Sequence, residues 1–207
     1  MPQLIAMIIV VVGAMIYMFQ TFGGTGDKVE GIAQKTSIIT EINNIKNGLQ
    51  LAARGEEIVH GTQLEALAKT GYFAEQINNQ ILDSADNATG DNNYNIYKAI
   101  SFGGSTVTGD GDMEISLVTP AAANTTARPG IFVNLSKSGL KSNAGFLEKQ
   151  ITTDLAAVAS IDTKTNASSQ VATLDADGVI TTAGSSAGTD IDGMFTIYFK
   201  DIPAGIK

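Results

Sequence analysis

The sequence predicts an α+β protein in which a long N-terminal α-helix, apolar in its first half and amphipathic in its second, packs on a small head. The head is expected to hold a mostly antiparallel sheet of about five strands and extra helices. Three observations carry that expectation. The sixteen residues from Leu4 to Phe19 include no polar group except the Tyr17 hydroxyl, and the first charged residue is Asp27. A stripe with helical spacing then runs from Asp27 or Lys28 to Arg54. Beyond it, short β-branched runs alternate with stretches rich in Gly, Ser, Thr and Asn. The divisions that follow are an apolar segment with a glycine hinge over 1–26, an amphipathic helix over 27–54 and an α+β head over 55–207.

Composition narrows the functions. The chain has 207 residues, 43% hydrophobic and 16% charged, which suits a packed core rather than disorder. Its 13 Lys and Arg against 21 Asp and Glu leave a formal charge of -8. That balance repels phosphate backbones, so nucleic acid is not an expected partner. With no cysteine and one histidine, His60, the chain has no thiolate nucleophile, no disulfide framework and no Cys-bearing metal site. Triads that need an imidazole beside a nucleophile are equally poorly supplied, so no enzyme and no cofactor are expected.

The apolar run, with its uncharged flanks, approaches the roughly 20 residues a helix needs to cross ~30 Å of hydrocarbon. No basic residue precedes it, unlike a secretory signal or an oriented anchor. Either a basic leader has been removed ahead of Met1, or the anchor has little to orient it. Gly23, Gly24 and Gly26 follow, each costing roughly 1 kcal/mol against helix continuity. From composition alone they read first as a flexible linker between an anchor and a soluble domain. Val29, Ile32, Ile39, Ile42, Ile45, Leu49 and Ala52 then recur at spacings of three, four or seven, and Gly55 marks a stop. That stripe has to dock on the rest of the chain.

In the head, Gln63 to Thr70 reads as a short helix ended by Gly71, and Ala74 to Leu82 as another. Ser84 to Asn95 reads as a polar loop. Strands are expected at Ile96–Phe102, Met113–Thr119, Ile131–Leu135, Val171–Leu174 with Val179–Thr182, and Met194–Phe199. A helix is expected over Ala144–Ser160, with Phe146, Leu147, Ile151, Leu155 and Val158 on its apolar face.

Other motifs have plain readings. Asn87, Asn124, Asn134 and Asn166 begin glycosylation sequons, in a chain so rich in Asn, Ser and Thr that some arise by chance. Asp175–Gly178 and Asp190–Gly193 resemble pieces of calcium loops without the remaining ligands; the first reads as a tight turn between two strands, and so does Asp110–Asp112. His60 reads as a surface or capping residue. Tyr17, Phe19 and Phe22 read as a packing cluster or an interfacial belt.

The uncharged start, the apolar helix, the weakened spot near residue 23, the amphipathic continuation to about residue 54 and the α+β head together resemble a type IV pilin. The segment LEALAKTGYF, Leu64 to Phe73, is similar to the small helix and turn that often follow the long helix in that family. The extra helix expected from Ala144 leans toward the larger type IVb-like branch. The resemblance implies a processed and methylated terminus at Met1. It also implies a filament core packed by Leu4, Ile5, Ile8, Val11, Val12, Met15 and Phe19, and a hinge at Gly23, Gly24 and Gly26. Three features depart from it: Ile5 stands where the family usually has glutamate, no proline lies near residue 22, and no C-terminal disulfide can form. A buried terminal ammonium then needs another acceptor, with Gln3 nearest, or must lie near water.

The expected function is that of a structural subunit of a homopolymeric surface filament, held in the cytoplasmic or inner membrane before an assembly machinery extracts it. Its partners would be further copies of itself, the membrane and that machinery. The alternatives are a membrane-anchored minor pilin, pseudopilin or adhesin-like module and, least supported, an anchored enzyme.

Overall fold

A computed structural model describes residues 31–86, 95–100, 113–120, 123, 126–136, 138–164, 172–175, 177–182 and 191–206. The chain forms two compact units, Met1–Thr36 and Ser37–Lys207. The apolar run and the glycine cluster lie outside the described residues. Among the described residues no helix is long and apolar enough to cross a membrane.

The first described helix, α1, covers 31–54. It is followed by α2 (Leu64–Lys69), α3 (Glu75–Asp86), β1 (Tyr97–Ile100), β2 (Met113–Val118) and β3 (Gly130–Asn134). A 3-10 helix at Ser138–Asn143 leads into α4 (Ala144–Leu155). Then come β4 (Ala159–Asp162), β5 (Thr173–Leu174), β6 (Ile180–Thr182) and β7 (Met194–Phe199). Five strands form one sheet in the order β1-β2-β3-β7-β4, and every neighbouring pair is antiparallel. This is the α+β architecture expected from the short connections.

Strand alternation gives the sheet two different faces. Pairing places Tyr97, Ile115, Val133 and Phe195 in one row and Ile131, Ile197 and Ile161 in another on the same face. These residues belong to one core with Ile38, Ile42, Ile45, Leu49 and Ala52 of α1, Leu64 and Leu67 of α2, Ile77 and Ile81 of α3, and Leu147, Ile151 and Leu155 of α4. The other face carries Ser116, Phe132, Thr196 and Asp162 in one row. Next to that row Tyr198 is buried, and its hydroxyl accepts the Ala172 N–H. It packs with Leu174 and Ile180 of the β5–β6 hairpin.

Several expectations need correction. The helix expected over Ala144–Ser160 stops at Leu155, and Ala159–Asp162 is the edge strand β4. There Ala159 pairs with Phe199, and Val158 O accepts the Lys200 N–H. The edge of β7, a strand that begins about 35 residues further on, decides this segment, and local periodicity cannot register it. Val171–Leu174 and Val179–Thr182 contribute a separate two-stranded hairpin instead of a strand of the main sheet. Phe146 and Val158, expected on the apolar face of α4, are 50% and 48% exposed. The buried stripe is instead Ala144, Leu147, Glu148, Ile151 and Leu155, one residue out of phase with Phe146. Finally, α3 runs on to Asp86, into the stretch read as a polar loop. In α1, Ile32 is exposed and Ile39 only half-buried; Ile38 takes the buried place, followed by Ile42, Ile45, Leu49 and Ala52 as expected.

Two helices end in the same hydrogen-bonded motif with different residues at its left-handed position. In α2, Tyr72 N–H bonds Leu67 O and Gly71 N–H bonds Ala68 O, with Gly71 at φ 80°. In α1, Glu57 N–H bonds Ala52 O and Glu56 N–H bonds Ala53 O, and the left-handed residue is Glu56, at φ 58°. Both are Schellman ends. The glycine expected to stop α1, Gly55, sits one residue before the position that needs one. Glu56→Gly should therefore raise stability by about 0.5–1 kcal/mol, read as a higher urea midpoint at unchanged slope.

Candidate interaction surface

The helix-to-sheet contact of the second unit is built from the α1 sequence. Ile38, Ile42, Ile45, Leu49 and Ala52 are all fully buried. Thr40, Asn43, Asn47, Leu51 and Arg54 are exposed and form the outward stripe. Burying each large side chain contributes roughly 1.5–3 kcal/mol. A half-exposed ion pair contributes about 0–1 kcal/mol, so the apolar stripe supplies most of the attachment.

Polar ties then fix where the helix sits. Lys46 Nζ is 2.7 Å from Asp201 Oδ2 and lies 4.8 Å from the centre of the Phe199 ring. Gln50 Nε2 donates to the Asp201 carbonyl at 3.2 Å. Tyr97, buried in β1, donates its hydroxyl to Glu41 Oε2 at 3.0 Å. Burial, and then the Glu41 charge, push the Tyr97 phenol well above its ordinary pKa. Burial likewise raises Tyr198, against the opposing effect of the Ala172 N–H bond. The chain after β7 is itself held down: Arg128 Nη1 donates to the carbonyls of Lys200 and Ile202, and Gly205 N–H bonds Ala127 O.

Both edges of the sheet have neighbours. At one side β1 is short, carries a register irregularity between Lys98 and Ile100, and contacts α3. At the other, β4 contacts β6, and Ser160 Oγ donates to the Gly178 carbonyl. Short, irregular and covered edges are how sheets avoid pairing with other sheets.

The residues singled out from the sequence are distributed as follows. Met1, Leu4, Ile5, Ile8, Val11, Val12, Met15, Phe19, Gly23, Gly24 and Gly26 lie outside the described residues, as do Asn87, Asn124 and Asn166. Asn134 is buried in β3, with Nδ2 donating to Glu114 and Oδ1 accepting from Ser136. The amide nitrogen that a glycan would take is thus engaged inside the fold. His60 is exposed in the α1–α2 connection. The Asp175 carboxylate accepts the N–H groups of Asp177 and Val179, and Gly178 has φ 77°, which is the tight turn expected between β5 and β6. Gly193 N–H donates to buried Glu148, tying the start of β7 to α4. Among the described residues no group of three or more His, Cys, Asp or Glu is placed to hold a metal.

Two residues escaped the sequence reading. Asn95 sits at the end of the stretch read as a loop. Its Oδ1 accepts the N–H groups of Leu64 and Leu117, and its Nδ2 donates to Leu117 O. It therefore caps α2, whose own N-cap Gln63 makes no side-chain bond, and joins that helix to β2. No sequence signal marks a cap that lies 31 residues away. The second is Gly48, whose place in mid-helix is itself a signal, because glycine there costs about 1 kcal/mol against alanine. Compared with known proteins, the chain matches no family model, no curated protein and no solved structure.

Asn95→Ala leaves a strand N–H and C=O unpaired and removes the α2 cap. The expected loss is about 1–3 kcal/mol, read from urea unfolding followed by tyrosine fluorescence.

Proposed function

We propose that the chain is a structural subunit of a type IV pilus-like extracellular filament, with apolar N-terminal helices bundled in the core and heads outside. The observation that carries this reading is the charge-free run Leu4–Phe19, followed without a charged residue up to Asp27 by a helix whose later half is buried in an α+β head. Such a run satisfies its side chains equally well in lipid and among copies of itself, because its backbone is internally bonded. One segment thereby serves both the membrane-held monomer and the polymer. The protected edges of the sheet support the same division of labour: polymerisation would rest on the N-terminal segment and on heterologous head contacts that do not close into a ring, without strand-to-strand pairing. Membrane, assembly machinery and further copies are the partners of this reading, and no catalytic step belongs to it.

Ile5 favours a second reading. A major subunit in this family usually carries a carboxylate there, so a minor pilin, pseudopilin or adhesin-like anchored module fits the same pattern.

Electron microscopy of the protein sheared from cells, or purified without detergent, distinguishes the two. Uniform filaments of this chain alone are expected; detergent-dependent monomers would transfer the assignment to the anchored module. Val11→Lys places a charge in the apolar run and should abolish filaments while the head still folds, and normal filaments from that variant would refute the packing role. Removing residues 1–26 should yield a monomer by sedimentation without detergent, and an aggregating product would show that the α1 stripe is not satisfied by the head.

A further inference from the structure

Asn47–Gly48 is the one Asn-Gly pair in the chain, and it lies in the middle of α1. Such a pair is chemically self-reactive. The glycine backbone nitrogen attacks the asparagine Cγ, the new C–N bond closes a succinimide ring, and the side-chain nitrogen leaves as ammonia. Water then opens the ring at either carbonyl. One opening gives aspartate; the other gives isoaspartate, whose main chain runs through Cβ and Cγ and is longer by one carbon. Glycine in the second place makes the attack fastest, because it puts no side chain beside its own nitrogen.

The restraint on this pair is the conformation of α1. Burial is not, since Asn47 is exposed on the outward stripe. In the helix the Gly48 N–H is bonded to the Asn44 carbonyl. Ring closure also needs ψ of Asn47 to turn by roughly 80° from a helical value of about −42°. The helix depends in turn on its docking. Residues 38–48 hold five β-branched residues, three asparagines and one glycine among eleven, all weak helix formers. Away from the sheet, a segment of that composition has little to keep it helical. The packing also holds glycine at position 48. A Cβ there would overlap Phe73 Cδ1 and Cε1 and fall 2.9 Å from the Tyr72 carbonyl oxygen, and Phe73 is itself buried in the core.

We infer that Asn47 is a modification site gated by the docking of α1: closed while the helix lies on the sheet, and open to succinimide formation whenever the helix leaves it. The isoaspartyl product cannot return to the same seat. Its extra backbone atom falls between Ile45 and Leu49, so Ile38, Ile42 and Ile45 on one side and Leu49 and Ala52 on the other no longer share one helical stripe. A reversible opening is thereby made permanent.

The test uses the full chain dispersed in detergent at mildly alkaline pH, with deamidation and isoaspartate at Asn47 followed by peptide mass spectrometry with electron-transfer fragmentation. In urea above the unfolding midpoint, Asn47 should react at least about tenfold faster than in the folded protein, because the reaction follows the open population. Ile45→Ala weakens the docking without altering the pair and should raise the rate in native buffer by about tenfold or more. If that variant loses the fold, Ile45→Val decides the matter with an increase of about twofold or more. Equal rates in the folded protein and in urea, or a folded Ile45 variant no faster than the parent, would overturn the gate. Once urea is removed, the isoaspartyl chain should stay open to proteolysis within α1. Asn47→Asp, which adds the charge without the backbone atom, should fold with the parent's urea midpoint. An isoaspartyl chain that regains the parent's protease resistance would overturn the permanent step. Both measurements are made on the dispersed monomer, so neither depends on whether the chain polymerises.

Discussion

The apolar face of the five-stranded sheet is the constraint from which the rest of the second unit follows. Tyr97, Ile115, Ile131, Val133, Phe195, Ile197 and Phe199 all stand on it, and a surface of that kind cannot be left to water. Strands about 4.8 Å apart make it wider than one helix can cover. Helix α1 covers it together with α2, α3 and α4, and each turns one apolar stripe inward. Even Glu148, the acidic member of the α4 stripe, is used there, since it receives the Gly193 N–H and brings the start of β7 under the helix.

Once the apolar face is covered, polar groups decide position rather than affinity. Asn95 joins α2 to β2, Arg128 and Asp201 fasten the chain that leaves β7, and Glu41 meets the buried Tyr97 hydroxyl. Each of these has a single geometry, whereas apolar burial is non-directional.

Much of the fold was legible in the sequence because its signals are local. The termination of α2 at Gly71, the β5–β6 turn around Asp175 and Gly178, and strands β2, β3 and β7 follow from turn chemistry and alternation within a few residues. The misreadings share one cause. Ala159–Asp162 became a strand because the β7 edge needed a partner, and the phase of the α4 stripe was set by the elements it packs against, with Phe146 left outside. Asn95 and Phe73 belong to the same class, since each acts on an element distant along the chain.

By itself, then, the sequence determined the α+β class, the charge-free run Leu4–Phe19, the amphipathic character of α1, the absence of cysteine and the single histidine. These depend on composition and on periods of two and 3.6 residues, which are properties of neighbours in the chain. Tertiary structure alone decided which segments share the sheet, that β1 meets α3 and β4 meets β6, and that Gly48 receives the Phe73 ring. Those outcomes depend on hydrogen-bonding edges and on unfilled space between elements, and neither exists until the elements have come together.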